Sequence, residues 1–550
     1  MIFGSFPVDA AQGVILAHSL RLRDRTLKKG RLLADADLAA LKAAGVSEVV
    51  GARLGEDDVA EDVAAARIAA AVAGPGSVCT AAFTGRCNIV ATRRGLAVLD
   101  RERLERLNAV DEAVTIATIA PGEVVEERQI LATVKIIPFA TSRAVVDASL
   151  TAAGNAPPLR VAPFRARRAA LILTSLPGTK ASVLDHTVEV IRGRMDAMAG
   201  TLAVELRCDH DERAIADAVS EALGAGCDLV LISGASATVD RRDVVPAGIL
   251  RAGGTIEHFG MPVDPGNLLL LARHGDVPVV DLPGCGRSPK LNGLDWVLRR
   301  IAADQDVGRA AIMAMGVGGL LKDIPAPGRP LPRDRAVRGA TAPSAPVAPR
   351  VAAVVLAAGR STRMGSNKLL APFGDAPLLC RMLDAVLASQ ARPVVVVTGH
   401  EAEAVRAAIG ERPVTIAHNP DYASGMASSL KAGLAAVDDP VDGAIVCLGD
   451  MPLVGAAHIN RLIAAFNPTE GRTICLPVRE GRRGNPVLIG RRFFPLLMTL
   501  TGDVGARQVV ADNGDSVCEV EFVGDEAIFA DVDTPDALRR AEAIQYQAIQ

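Results

Sequence analysis

Three short stretches put ionisable residues where apolar runs end, and all three suit phosphate chemistry. Residues 356–368 read LAAGRSTRMGSNK. An apolar run leads into a loop in which Gly359 and Gly365 let backbone N–H groups approach a phosphate closely, while Arg363 and Lys368 add positive charge where a triphosphate would lie. Residues 447–452 read CLGDMP, with Asp450 at the carboxyl end of an apolar run, the edge at which open α/β sheets bind ligands. A carboxylate there suits Mg²⁺, which keeps several waters and takes one or two protein carboxylates together with phosphate oxygens. Residues 529–538 read FADVDTPDAL, and Asp531 and Asp533 are expected on a short strand with their side chains on opposite faces. One of them joins Asp450 at the metal and the other caps the following helix; which does which is open. Taken singly, each stretch is equally an ordinary turn with solvated cations or a capping aspartate, and the G-x-x-x-x-G-K-[ST] pattern of a Walker loop is absent.

These turns need elements that end together. From Val351 onward, strand and helix signals alternate as in an α/β sheet. VAAVVLA, PVVVVTG and GAIVCLGD read as buried strands, and Pro377 opens a helix with Leu378, Met382, Leu383 and Val386 on one face. TICLPV, NPVLIG and VCEVEF close the sheet, and a terminal helix is capped by Asp533 or Thr534. Residues 323–350, dense in Pro, Ala and Arg and without apolar period, read as a linker. Residues 168–322 alternate again: RAALILTSL, CDLVLISGAS and VPVVDLPG read as strands, and DERAIADAVSEALGAG as a helix capped by Asp211 and ended by Gly224 and Gly226. Residues 1–167 hold a helix ended at Gly45 and two strand-rich pieces, AVTIATIA and QILATVKIIPFA. The expected class is α/β, with domains at 168–322 and 351–550 and a mixed α+β, partly β-rich region at 1–167.

Composition narrows the partners. A chain of 550 residues exceeds one ordinary core, and 49% hydrophobic with 22% charged residues is the balance of a soluble globular protein. Net charge is −3, no block of Lys and Arg occurs, and one Trp with two Tyr offers little base-stacking surface, so a nucleic-acid polymer is not the expected partner. The nine Cys never take C-x-x-C spacing, which argues against a zinc or thiol-redox motif. No run is long enough to span a bilayer and the start lacks a signal-peptide pattern, so the expected location is the cytoplasm.

In order along the chain, L-A-A-G-x-S-x-R-M-G-x-x-K, G-D-x-P and D-x-D-T-P-x-D resemble the molybdenum cofactor nucleotidyltransferases, and most closely their cytidylyltransferase branch, over about 351–545. The resemblance implies a Rossmann-like nucleotidyltransferase domain that moves CMP from CTP to molybdopterin and releases pyrophosphate. It places Leu356, Ala357, Ala358, Gly359, Gly365 and Lys368 on the nucleotide, Arg363, Lys368 and Asp450 in catalysis, and Mg²⁺ on Asp450 with Asp531 or Asp533. The loops holding Gly484, Asn485 and Pro486, and Asp503 in TGDVGAR, face the cofactor substrate in that family. The guanylyl branch typically carries L-A-G-G at the first loop, so Ala357-Ala358-Gly359 favours CTP over GTP. Other readings are guanylyl transfer, a sugar-phosphate nucleotidyltransferase, and a cofactor carrier with an idle transferase domain. A recipient molybdoenzyme or its chaperone is the implied protein partner.

Residues 8–50 resemble the opening of molybdopterin molybdenumtransferases, and 168–305 their molybdopterin-binding domain, through CDHDERAIADAV, SGASATVDRRDVVPAGIL and DLPGCGRSP. This implies pterin contacts from Asp209, Gly234, Ser236 and Asp243, with Asp240 a further candidate. Where the family has paired glycines and a third shortly after, this chain has Gly234, Ala235, Ser236 and Ala237. The added Cβ atoms restrict backbone approach, so pterin binding is expected here, without adenylylation or molybdenum insertion.

Overall fold

Strands with apolar residues on both faces must be covered on both sides, and here they form the parallel centres of two sheets. The computed structural model describes residues 1–23, 25–321, 347–361, 364, 366–502 and 506–549. The expected linker at 323–350 lies outside the described residues as far as 346.

The first sheet has six strands. β1 (Arg168–Ser175), β2 (Thr201–Asp209), β3 (Leu229–Ser233) and β4 (Val277–Asp281) run parallel in the order β2-β1-β3-β4. Strands Leu270–His274 and Thr255–Phe259 add antiparallel beyond β4. Alternation along β1 sorts its side chains. Ala169, Leu171 and Leu173 pack with helices Ala181–Ala197 and Gly293–Ala302, while Ala170 and Ile172 pack with Glu212–Gly224 and Val244–Arg251. Asp211 caps its helix by accepting the N–H groups of Arg213 and Ala214, as the sequence predicts.

The second sheet has eight strands. They include β5 (Val351–Ala357), β6 (Val394–Thr398), β7 (Gly443–Leu448), β8 (Ile474–Arg479), β9 (Arg482–Arg483), β10 (Val487–Gly490) and β11 (Val517–Glu521). The order is Thr415–His418, β6, β5, β7, β10, β8, β9, with β11 parallel to β8. Pairing is parallel through β7 and turns antiparallel at β10. Ala353, Val355 and Ala357 of β5 face the core under helices Leu378–Ala388 and Ala456–Ala465. Ala352 and Val354 face helix Met426–Ala435.

Residues 1–167 contain two cores. Val8, Leu16, Leu27, Leu33 and Leu41 are buried between a three-stranded sheet and helix Asp35–Ala43, which ends before Gly45 at φ 74°. Residues 58–162 pack a four-stranded sheet, which includes Val114–Thr118 and Ile130–Ile136, and two smaller sheets against helices Glu61–Val72, Arg101–Asn108 and Arg143–Ala153. The last three helices escape a periodicity reading. The first buries Ala64, Ala65 and Ala69 beside Ile68 and Val72, so small residues make up most of its buried face. Among the described residues no helix is long and apolar enough to cross a membrane.

Candidate active site

β5 and β7 are neighbours, so the loops that follow them leave the sheet at the same edge. After β5, Ala358 is packed, and a Cβ added at Gly359 would meet nothing within 4 Å. The chain turns at Ser361, whose hydroxyl accepts the Lys368 N–H at 3.1 Å. Asn367 accepts the Leu369 N–H at 3.1 Å and caps the turn Lys368–Leu370, from which Lys368 reaches back across the edge. After β7, the Gly449 N–H donates to the Leu356 carbonyl at 3.0 Å. A Cβ there would sit 3.0 Å from that same oxygen and 3.1 Å from Leu379, so glycine permits the approach that brings Asp450 beside the first loop.

The third stretch arrives through Val532. Its N–H donates to the Asp450 carbonyl at 3.0 Å and its side chain is fully buried, which delivers Asp533 to the same spot. Lys368 Nζ pairs with Asp450 and stands 2.6 Å from Asp533. Burial alone favours the neutral amine of Lys368, but the charges of Asp450 and Asp533 outweigh it and hold the ammonium above its ordinary pKa. Burial pushes the Asp450 carboxyl up, against the pull of Lys368. Asp450 Oδ1 is buried, with no hydrogen-bond partner among the described residues. An ionised oxygen left so is costly unless something positive meets it.

A divalent ion fits this donor set. Asp450 offers an unsatisfied oxygen and Asp533 a second carboxylate beside it, which is the protein share that Mg²⁺ takes when phosphates complete its shell. Among the described residues, no three His, Cys, Asp or Glu side chains gather into a metal site made by protein alone.

Asp531 departs from expectation. The stretch holds no strand: the turn Ala527–Phe529 leads into irregular backbone. A regular strand would in any case have put residues two apart on one face rather than on opposite faces. Asp531 lines a cavity of about 590 Å³ with Arg479, Arg482, Phe529 and Arg540, while Asp533 faces Lys368. Thr534 caps the terminal helix, accepting the Ala537 N–H at 3.2 Å. Gly484 and Asn485 rest on the segment that leads to Asp533. A Cβ at Gly484 would lie 2.5 Å from the Ile528 carbonyl, and the Asn485 N–H donates to it at 3.1 Å. Pro486 is buried next to them. Arg363, Gly365 and Asp503 lie outside the described residues.

The first sheet also gathers polar groups at its carboxyl edge. Asp209 ends β2 and is exposed. Gly234 follows β3 and is required by close approach, since a Cβ would lie 2.8 Å from the Ser236 carbonyl. Ser236 Oγ is 2.9 Å from His210 Nε2, and His210 Nδ1 is 2.8 Å from Thr174 Oγ1, which accepts the Ala235 N–H at 2.7 Å. Asp243 caps helix Val244–Arg251, and Asp240 pairs with Arg242, so both serve the local turn. Thr174, His210 and Asp281 were missed from the sequence. Asp281 is 2% exposed, burial pushes its carboxyl up to about 7, and Thr238 donates to it at 2.6 Å. A carboxylate ending the apolar run VPVVD was the available signal, the same one that marks Asp450.

With this geometry in hand, comparison with known proteins is direct. A family model described as the MobA-like NTP transferase domain matches residues 353–517, and a domain of unknown function (DUF8806) matches 5–53, the stretch that resembled a molybdenumtransferase opening. The nicotine blue oxidoreductase of Paenarthrobacter nicotinovorans is 31% identical over 198 residues, 35% of this chain and 96% of that protein. The molybdenum cofactor cytidylyltransferase of Escherichia coli K12 is 28% identical over 184 residues, 33% of this chain and 91% of that protein. A solved homologue of Mycobacterium tuberculosis rv0371c, from Mycobacterium sp. strain JC1, is 30% identical and covers 36% of this chain and 98% of its own, with a TM-score of 0.33. Through the sheet that carries Lys368, Asp450 and Asp533, the chain belongs to the MobA-like NTP transferases and is a nucleotidyltransferase.

Proposed function

We propose that the edge of the second sheet transfers CMP from CTP to a molybdopterin-type cofactor, and that the edge of the first sheet binds the pterin. The observation that carries the reading is the Asp450 carboxylate, paired with Lys368 through one oxygen and, among the described residues, unpartnered and buried at the other, on the sheet edge that also carries Gly359. In the proposed reaction a terminal phosphate oxygen of the cofactor attacks the α-phosphorus of CTP. A new P–O bond forms, the bond to the bridging oxygen of the β-phosphate breaks, and pyrophosphate leaves. The attacking oxygen is already anionic, so no general base is needed. Lys368, kept protonated by its two carboxylates, neutralises phosphate charge. Asp450 and Asp533 would hold Mg²⁺, which supplies Lewis-acid neutralisation of the phosphates when bound. Gly359 leaves room for the triphosphate, and the loop with Gly484, Asn485 and Pro486 positions the acceptor.

The name of the 28% identical relative supports a molybdopterin acceptor. Ala357-Ala358-Gly359 favours CTP over GTP. On the first sheet, Ser236 and His210, backed by buried Thr174, form a hydrogen-bonding edge beside Gly234 and Asp209, suited to the polar edge of a pterin. Joining the two sites on one chain raises the local concentration of cofactor at the transferase to about the millimolar range. The test uses the full chain with Mg²⁺, molybdopterin and either CTP or GTP, following pyrophosphate. Release with CTP alone is the expected result. Release with GTP instead reassigns the base, and release with neither sinks the reading in favour of a cofactor carrier.

A further inference from the structure

Residues 5–53, matched by a family without assigned function, reach the transferase sheet at β11 and at the tip of the β8–β9 hairpin. Lys28 Nζ donates to the Val517 carbonyl at 2.7 Å. Arg31 lies between two carboxylates. Its Nε is 2.9 Å from Asp37 Oδ2 in its own module, and its Nη1 is 3.4 Å from Glu521 Oε2 at the end of β11. The other Glu521 oxygen accepts the Glu480 N–H at 3.0 Å. A Cβ on Gly481 would lie 3.8 Å from Arg25 and 3.9 Å from Arg31, so both guanidinium groups stand over the hairpin tip.

That hairpin needs outside support. Glu480 and Gly481 have φ 52° and 79°, the two-residue loop that joins twisted strands, and the left-handed conformation disfavours a glutamate. β9 has two residues and pairs with β8 only through Arg483↔Val478 and Arg482↔Arg479. A hairpin so short is not stable alone. It runs straight into Gly484, Asn485 and Pro486, which rest on the segment leading to Asp533. Arg31 is 14% exposed and Glu521 32%, so water screens the pair less than an open surface contact. The planar guanidinium suits the task, because it can serve two carboxylates from one rigid fork.

We infer that residues 5–53 are an intramolecular brace for the acceptor side of the transferase site, with Arg31 a positioning residue that acts through Glu521 on the hairpin 479–483 and the loop 484–486. The inference rests on the reading that this loop faces the acceptor.

The test compares the full chain with Glu521→Gln, which keeps an acceptor for the Glu480 N–H but loses the charge facing Arg31, and with Arg31→Ala. Amide hydrogen exchange across 477–486, measured without substrates, is expected to quicken roughly fivefold in both variants. Unchanged exchange overturns the brace whether or not the transfer reaction is correctly assigned. Steady-state turnover with CTP and molybdopterin is then expected to show the molybdopterin KM raised about tenfold, with kcat and the CTP KM within about twofold of wild type. Faster exchange with an unmoved molybdopterin KM also overturns the positioning role. Arg31→Ala strips the buried Asp37 of its nearer ion-pair partner, leaving Arg25 at 4.0 Å, so if that variant does not fold, Glu521→Gln decides.

Discussion

At the carboxyl edge of the second sheet Lys368 meets two carboxylates, and one of them has a buried oxygen to which nothing among the described residues donates. At the carboxyl edge of the first sheet Thr174, His210 and Ser236 bond to one another, and Thr238 satisfies Asp281. The glycines repeat the contrast. Gly359 looks into open space, whereas Gly234 is pressed against the Ser236 carbonyl by its own loop. Both edges use the same topology, parallel strands ending in loops, and they differ in what they leave undone. The second edge holds charge and room in reserve, the condition for stabilising phosphates that arrive and leave. The first spends its polar groups on itself, the condition for holding a ligand rather than transforming it.

The sharpest way to break this contrast is to neutralise one carboxylate on each edge. Asp450→Asn should slow CMP transfer by roughly 10²–10³, because it removes the charge that faces Lys368 and the metal without changing volume. Asp281→Asn should leave the maximal rate, at saturating molybdopterin, within about twofold of wild type. Pyrophosphate release measures both. Equal losses in the two variants would mean that the first edge also takes part in chemistry.

The second prediction separates the edges by pH. Folded Asp281 keeps its proton up to about pH 7, while the unfolded chain releases it near the ordinary aspartate value of 3.8. Between those values the folded state binds the extra proton, so stability falls as pH rises. This contribution is complete below pH 3.8 and lost as pH passes 7. Asp281→Asn stays neutral throughout, so the stability of wild type minus that of the variant should drop by on the order of a few kcal/mol across that window. Urea titrations from pH 4 to 8 would show it, and a flat difference would return Asp281 to an ordinary ionised carboxylate.

Much of the second edge was legible in the sequence, and little of the first. Gly359 and Asp450 each follow an apolar run, so the pattern that marks a buried strand also marks its end, and Lys368 closes the glycine-bearing loop after the first run. Asp533 was located only as one of two candidates. The choice depends on an irregular turn after Phe529 and on the Val532–Asp450 backbone bond, neither of which has a periodic signature. On the first edge the sequence points to Asp209, Gly234, Ser236, Asp240 and Asp243; Ser236 joins the network, Asp240 and Asp243 serve the local turn, and His210 and Thr174 carry no signal of their own. Their role is a pairing across neighbouring strands β1 and β2, which periodicity along one strand does not encode. The brace was equally hidden, since Arg31 and Glu521 lie 490 positions apart.

The glycine pair gives the third prediction, smaller in size. Gly234→Ala should cost about 1–3 kcal/mol of stability, because the new methyl meets the backbone oxygen of Ser236 and must push the loop. Gly359→Ala should leave the unfolding midpoint in urea unchanged, since nothing lies within 4 Å, and should raise the CTP KM by filling space reserved for the nucleotide. A destabilised Gly359→Ala with normal CTP affinity would reverse the comparison.

The smallest effect tests whether the first edge holds pterin at all. Ser236 is exposed, and its hydroxyl is shared with His210 Nε2. Ser236→Ala frees that nitrogen to water, so stability should move by less than about 0.5 kcal/mol. Binding is different, because a ligand that replaces water at this edge loses one neutral hydrogen bond, worth about 1 kcal/mol, or a fivefold weaker molybdopterin affinity. Direct titration with molybdopterin, without nucleotide, isolates the effect from the transferase edge. If affinity holds in Ser236→Ala but falls in Asn485→Ala, the cofactor is bound at the second sheet alone, and the first edge is a structural network with no ligand of that class.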